Sequence, residues 1–454
     1  MHKGEIDFIT LGCSKNLVDA ERVMRQLEAV GWKCVHDAAE PKGEVCVINT
    51  CGFIGDAKEE SVNMILQMAE RKKKGKLRKL IVMGCLSERY RAELEAELPE
   101  VDAYYGKFDF EGMVESLKDA SLQDGAERLQ DAGKPLQGCK SFERKLTTPR
   151  HYAYLKISEG CNRMCSYCAI PLITGRHTSR PKAEILEEVK WLVSQGVKEL
   201  NVIAQDLSSY GLDLAERRHL LPELIDEMAQ VPGVEWIRLH YAYPTDFPEE
   251  LLDVMAHHAN VCKYLDIALQ HCTDHMLGLM RRHITQAEQD ALIREIRERV
   301  PGICIRTTLL VGHPGETEED FETLKEWVKT MRFERMGCFA YSDEEGTYAN
   351  KHYKDDVPQE VKERRAAELM AIQQEISAEL MAKFVGKTER VIIDRREGDY
   401  WVGRTQYDSP EVDCEVLIKA SGERRVAKVG EFYDVEITKA EEFDLYGKIV
   451  RIED

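Results

Sequence analysis

No stretch of this sequence comes near the roughly 18 consecutive apolar residues that a membrane-spanning helix needs, so a helical membrane protein is excluded. The first residues, MHKGEIDFITLG, carry no apolar core ahead of a small-residue cleavage site. A secretory leader is therefore not expected, and the expected compartment is the cytoplasm. An excess of positive charge is missing too: 63 Lys and Arg stand against 82 Asp and Glu, a net charge of −19. That balance argues against general affinity for nucleic acid or anionic membrane and allows a basic partner. Without a leader, the 14 cysteines do not read as a disulfide framework; metal ligation and apolar burial take its place. What is present is length, 454 residues with 43% hydrophobic content, enough for two or three domains with cores of their own.

One further absence is local. Residues 157–171 read ISEGCNRMCSYCAIP, and the three cysteines Cys161, Cys165 and Cys168 lack a fourth. A closed zinc site or an ordinary iron–sulfur cluster takes four protein ligands, so a compact C-x3-C-x2-C group points to a cubane cluster with one iron left open to a small molecule. The alternative is zinc completed by a distant residue such as His151 or His177. Tyr167, between the second and third cysteines, either packs or flanks a bound purine.

From Lys156 to about Ser342, strand-like runs alternate with amphipathic helix patterns. The strands are YLKIS (154–158), ELNVIAQ (199–205), WIRLHYA (236–242), YLDIAL (264–269), IRTTLLVG (305–312) and MGCFAYS (336–342). Six such β-α steps predict a parallel sheet in a partial (β/α)6 barrel, with chemistry at the strand C-terminal ends and the three cysteines after the first strand. Residues 1–110 predict a smaller α/β domain with strands IDFITLG, EVCVINTC and LRKLIVMGC. Residues 111–150 read as a linker carrying some helix, and 151–384 as the barrel with a long charged terminal helix. The segment 385–454 reads as a small all-β barrel of short strands and Gly turns.

Three more cysteines, Cys13, Cys51 and Cys85, close predicted strands of the first domain. Neighbouring strands of a parallel sheet converge at their C-terminal ends, so these thiols can meet although they lie far apart in sequence. The alternative is plain burial. Cys34, Cys46, Cys262, Cys304, Cys338 and Cys414 read as core residues, and Cys139 lies in the linker. The run RKKKGKLRK (71–79) reads as basic residues at a helix C-terminus, with docking of an acidic electron donor or ribosomal RNA as the alternative. VGHPGETEED (311–320) lacks the G-x-G-x-x-G spacing, so it is no evidence for a dinucleotide. GRHTSRP places Arg176 and Arg180 soon after the cysteine loop, where a guanidinium could clamp a carboxylate or simply meet solvent.

The C-x3-C-x-aromatic-C motif after the first barrel strand resembles the radical S-adenosylmethionine (SAM) superfamily. With the three-cysteine first domain and a TRAM-like terminal barrel, the chain resembles the methylthiotransferases over essentially its whole length. TLGCSKNLVDAE, VINTCGFI, VIAQDLSSYG, YLDIALQH, VGHPGETEEDF, YSDEEGT and GRTQYDSPEVD look most like the RimO type, which methylthiolates an aspartate of ribosomal protein S-twelve. One departure lies at 265–272, where Ala268 stands in place of a proline and Cys272 is additional.

The resemblance implies two 4Fe–4S clusters, one on Cys161, Cys165 and Cys168 and a sulfur-carrying one on Cys13, Cys51 and Cys85. It implies SAM both as radical source and as methyl donor, with Tyr167, Arg176, Arg180 and Gln205 as cofactor-binding residues. The 5′-deoxyadenosyl radical would take hydrogen from the aspartate β-carbon, which then captures the methylthio group. Implied partners are protein S-twelve or the small ribosomal subunit and a low-potential donor such as flavodoxin or ferredoxin. No stable nucleic-acid binding and no membrane are expected. Two alternatives stay open: the same chemistry on adenosine of transfer RNA, and a non-enzymatic zinc or iron–sulfur protein.

Overall fold

The computed structural model describes residues 4–118, 140–420 and 427–451, so Cys139 lies outside the described residues. The described chain forms two compact units, one of residues 1–147 with 169–176, the other of residues 148–168 with 177–454.

In the first unit five parallel strands, β1 (Glu5–Thr10), β2 (Lys33–His36), β3 (Val45–Thr50), β4 (Lys79–Gly84) and β5 (Ala103–Tyr105), lie in the order β2-β1-β3-β4-β5. β3 is buried along its whole length, as a strand covered on both faces must be. The period of two sorts its side chains: Val45 and Val47 join one core with Ile6, Phe8, Ile81 and Met83, while Cys46 and Ile48 join another with Leu80 and Val82. The helices α1 (Ser14–Ala29), α2 (Gly55–Lys73), α3 (Cys85–Glu97) and α4 (Phe110–Lys118) cover the sheet. Met113, Val114 and Leu117 of α4 belong to the first core. Further on, Arg144 pairs with buried Glu21, and Thr147 Oγ1 donates to Glu21 Oε1 at 2.8 Å. The described ends of the segment read as a linker therefore pack with the first unit. Polar composition concealed this, because the packing rests on one stripe of α4, on Phe142 and on the ion pairs Arg144–Glu21, Lys145–Glu28 and Arg25–Glu143.

The basic run 71–79 closes α2. Lys72 reaches Asp102 at 2.7 Å, Lys73 reaches Glu70 and Glu100, and Arg78 lies 3.5 Å from Glu44. These pairings agree with helix-terminal cations.

In the second unit β6 (Tyr152–Lys156) starts the barrel sheet, and a short ribbon pairs β7 (Ser158–Glu159) with β8 (Thr178–Ser179). β9 (Glu199–Ile203), β10 (Trp236–Ala242), β11 (Val261–Ile267), β12 (Cys304–Val311) and β13 (Arg335–Ala340) complete it in the order β13-β12-β11-β10-β9-β6. All these pairings are parallel, and the six predicted strands are the six observed. The 311–320 segment is a plain strand-to-helix turn: Thr317 and Asp320 form a capping box on helix 318–331.

The long helix Gln359–Ala382 leads to a closed antiparallel and parallel barrel of β14 (Thr388–Glu397), β15 (Tyr400–Arg404), β16 (Glu415–Lys419), β17 (Phe432–Ala440) and β18 (Asp444–Arg451). The end of β15 and the β15–β16 loop join the central sheet through buried charge. Arg404 bonds Glu199 and Asp394, Arg335 bonds Asp408, and Arg238 donates to the Gln406 carbonyl at 2.6 Å. Asp413 accepts from the Tyr264 hydroxyl at 2.8 Å.

Candidate active site

The first unit brings Cys13, Cys51 and Cys85 to one end of its sheet. Cys51 and Cys85 directly follow Thr50 and Gly84, which are partners in the β3–β4 register. Gly12, with φ +92°, lets the chain before Cys13 approach so closely that a Cβ there would lie 2.8 Å from Cys51 Cβ. Gly84, φ +100°, is similarly crowded by the Asn49 side chain and the Thr50 carbonyl. Asn16 of α1 ties the three strand ends together. Its Nδ2 donates to Leu11 and Thr50 carbonyls at 3.2 Å, and its Oδ1 lies 3.4 Å from Cys85 Sγ. Cys13 is exposed, while Cys51 and Cys85 are buried. Burial pushes the Cys85 thiol up to about 12, with the charge of buried Lys107 pulling the other way. Cys51 is raised by burial too, against the Phe53 backbone N–H. A thiol whose pKa is raised by desolvation still loses its proton to solvent when a metal binds, because the cation stabilises a thiolate that water does not reach.

The second unit places Cys161, Cys165 and Cys168 in the loop after β7. Cys165 is buried and the other two are half-buried. Met164, at φ +52°, turns the chain between them. The loop is anchored by Ser166, whose amide donates to the Met280 carbonyl at 3.0 Å and whose Oγ lies 2.9 Å from His313 Nε2. His313 is fully buried among Tyr167, Tyr341 and Tyr353, and burial pushes its pKa down to about 4, so the ring is neutral. Around Cys165, the Tyr243 hydroxyl lies at 3.5 Å and Arg282 Nη1 at 3.7 Å. Arg163 donates its amide to Cys161 Sγ at 3.5 Å and its guanidinium to Asp206 at 2.7 Å. Burial pushes the Cys161 thiol up to about 12, with the Arg163 amide opposing.

Among the described residues, no three His, Cys, Asp or Glu side chains close tightly enough to share a single metal ion. The histidines considered for zinc are also engaged: His151 with Asp394 at 2.8 Å and His177 with Ser179 Oγ at 3.1 Å.

The other candidate cofactor residues fare differently. Tyr167 is half-buried, with its hydroxyl 3.3 Å from Arg282 Nη1. Gln205 donates to Glu159, which also pairs with Lys156, while its buried Oε1 has no partner among the described residues. Arg180 spends its guanidinium on the Lys156 carbonyl, Glu184 and Glu188. Arg176 is exposed and belongs to the first unit. Cys34, Cys46, Cys262, Cys304 and Cys414 are core residues, as is Cys272, whereas Cys338 is half-buried. At the departure from the family pattern, Ala268 donates its N–H to the Ala242 carbonyl at 3.1 Å, a bond a proline could not make.

Sequence reasoning missed Asn16, Lys107, Tyr243, Arg282 and His313. His313 and Asn16 stood inside quoted motifs, but nothing local marks which side chain of a motif turns toward a cysteine.

The radical SAM superfamily matches residues 155–328, the TRAM domain residues 385–450, and the uncharacterized protein family UPF0004 residues 5–106. The ribosomal protein uS12 methylthiotransferase RimO of Phocaeicola vulgatus is 62% identical over 450 residues, covering 99% of this chain and all of that one. This chain belongs to the RimO family of methylthiotransferases. The RimO proteins of Bacteroides thetaiotaomicron and Porphyromonas gingivalis are 61% and 56% identical, again across 99% of this chain and at least 99% of their own. Among solved structures, the radical SAM methyltransferase TsrM from Kitasatospora setae aligns with a TM-score of 0.54 at 17% identity, covering 74% of this chain and 72% of that one. The cobalamin-dependent radical SAM enzyme OxsB aligns at 0.52 and 10% identity, over 82% and 56%. Both likenesses concern the fold. Among the described residues, no helix is long and apolar enough to cross a membrane.

Proposed function

We propose that this protein is a radical SAM methylthiotransferase that places a methylthio group on the β-carbon of an aspartate in small-subunit ribosomal protein S-twelve. The observation that carries this reading is 62% identity to a RimO protein along nearly the whole chain. In this reading Cys161, Cys165 and Cys168 hold one 4Fe–4S cluster, and Cys13, Cys51 and Cys85 hold a second. When bound, the first cluster would supply the electron for SAM cleavage and the second would carry the sulfur, while another SAM would be the methyl donor.

The chain's own side chains bind and orient. Gln205, held by Glu159, offers its unpartnered carbonyl oxygen to the cofactor. Tyr167 forms a wall of the same site. Arg176 is assigned to cofactor binding, and Arg180, anchored to Glu184 and Glu188, fixes the end of β6 through the Lys156 carbonyl. Ser166 and neutral His313 hold the cysteine loop in place. The terminal barrel recognises a basic protein: residues 385–454 hold 12 Lys and Arg against 17 Asp and Glu. Several of its cations are already engaged, Arg390 by Glu235, Arg395 by Glu415 and Lys448 by Glu436. Stable nucleic-acid binding, which needs free basic groups along phosphates, is not part of the proposal. The electron comes from a low-potential donor of the flavodoxin or ferredoxin class, and the enzyme works in the cytoplasm beside the ribosome.

The test is anaerobic reconstitution to roughly eight irons per chain, turnover with SAM and reductant, and mass spectrometry of protein S-twelve and transfer RNA. A methylthio mass increase on the S-twelve aspartate is expected. An increase on transfer RNA and none on S-twelve would reject the assigned substrate.

A further inference from the structure

Arg282 is 2% exposed, yet among the described residues no carboxylate pairs with it. Other buried arginines do have carboxylates: Arg404 has Glu199 and Asp394, Arg238 has Glu199, Arg335 has Asp408 and Arg365 has Glu316. A cation taken out of water without a counter-charge is strongly unfavourable, so such a group calls for an anion.

Its surroundings say which anion. Nη1 lies 3.7 Å from Cys165 Sγ and 3.3 Å from the Tyr167 hydroxyl, and Nη2 donates to the Ala268 carbonyl. The guanidinium carbon stands 4.2 Å from the centre of the Tyr243 ring, whose hydroxyl is itself 3.5 Å from Cys165 Sγ. Nε is buried with no partner among the described residues. The anionic group this pocket can accept is the thiolate of Cys165 with whatever it ligates. We propose that Arg282 is the counter-cation of the cluster held by Cys161, Cys165 and Cys168, and the positioning residue that raises its reduction potential.

The inference rests on the reading that these cysteines hold an iron–sulfur cluster. One-electron reduction adds a negative charge beside a fixed positive one in a poorly hydrated setting, which favours the reduced form. The N–H directed at sulfur acts in the same direction by withdrawing charge from the ligand. The electron comes from an external one-electron reductant, and Arg282 itself neither gains nor loses one.

The experiment is a dye-mediated dithionite titration, read by electron paramagnetic resonance, on the full-length chain carrying C13A, C51A and C85A so that a single cluster is followed. With Arg282→Gln, the ratio of reduced to oxidised cluster at a given potential should fall at least tenfold, a downward shift of about 59 mV or more. Arg282→Lys, which keeps the charge, should stay within threefold of the parent. An unchanged potential in R282Q at full iron content would overturn the proposal, as would equal shifts in R282Q and R282K. If R282Q does not fold or bind iron, R282K decides: a ratio within threefold supports the proposal, and a tenfold fall or loss of iron overturns it. Failure of the parent to bind iron would instead reject the cluster assignment on which the proposal stands.

Discussion

Replacing Arg404 by Met tests whether buried charge holds the terminal barrel to the central sheet. Arg404 is 2% exposed. Its Nε donates to Asp394 Oδ2 at 2.6 Å, its Nη2 to Glu199 Oε2 at 2.7 Å and Asp394 Oδ1 at 2.9 Å, and its Nη1 to the Asp408 carbonyl at 3.1 Å. Removing one partner of a buried pair costs about 3–5 kcal/mol, because the remaining charge stays buried without compensation. Here Glu199 would keep Arg238 at 3.0 Å and Asp394 would keep His151 at 2.8 Å. The lower end, about 3 kcal/mol, is therefore expected. At about 2 °C per kcal/mol for a unit of this size, the melting temperature should fall by roughly 6 °C. Arg395 is the control: it pairs with Glu415 and Glu397, but on the surface at 45% exposure. Arg395→Met should cost under about 1 kcal/mol. Urea and thermal unfolding of the metal-free protein would measure both. A loss in R404M no larger than in R395M would refute the reasoning, since burial would then add nothing to the pair.

The two cysteine triads should separate by role: Cys161→Ala, Cys165→Ala or Cys168→Ala abolishes 5′-deoxyadenosine formation. Cys13→Ala, Cys51→Ala or Cys85→Ala leaves some of it but yields no methylthiolated product, as chromatography and mass spectrometry would read. Gly12→Ala should behave like the latter group and lower the iron content, because its Cβ meets Cys51 and its φ is positive; wild-type iron content in G12A would contradict the crowding argument. His313, pushed down to about 4, takes up its proton later in the folded than in the unfolded chain, whose histidines titrate near 6.5. Stability should therefore fall as pH drops from about 6.5 to about 4, by up to about 1.4 kcal/mol per pH unit, and His313→Gln should flatten that slope in urea titrations of metal-free protein. Binding of full-length enzyme to protein S-twelve should weaken as salt rises past about 0.15 M, where the Debye length is near 8 Å; salt-independent binding would remove the role given to the acidic barrel.

Much of this was readable along the chain because it is periodic or local. The six barrel strands follow from continuous apolar runs separated by amphipathic helices, and C-x3-C-x2-C places three cysteines within eight residues. The strand-terminal positions of Cys13, Cys51 and Cys85 were equally visible, since a parallel sheet must bring such ends together. Other features exist only once the chain is folded. Arg282 reaches Cys165 across 117 residues of sequence, and Arg404 reaches Glu199 across 205. In sequence each is an ordinary basic residue, with no periodicity to mark which one will be buried. Tertiary packing alone decides whether a guanidinium meets water, a carboxylate or a thiolate, because desolvation depends on everything that closes around it. The residue types therefore determined the available chemistry, while the fold determined which charges would be taken out of water and against what.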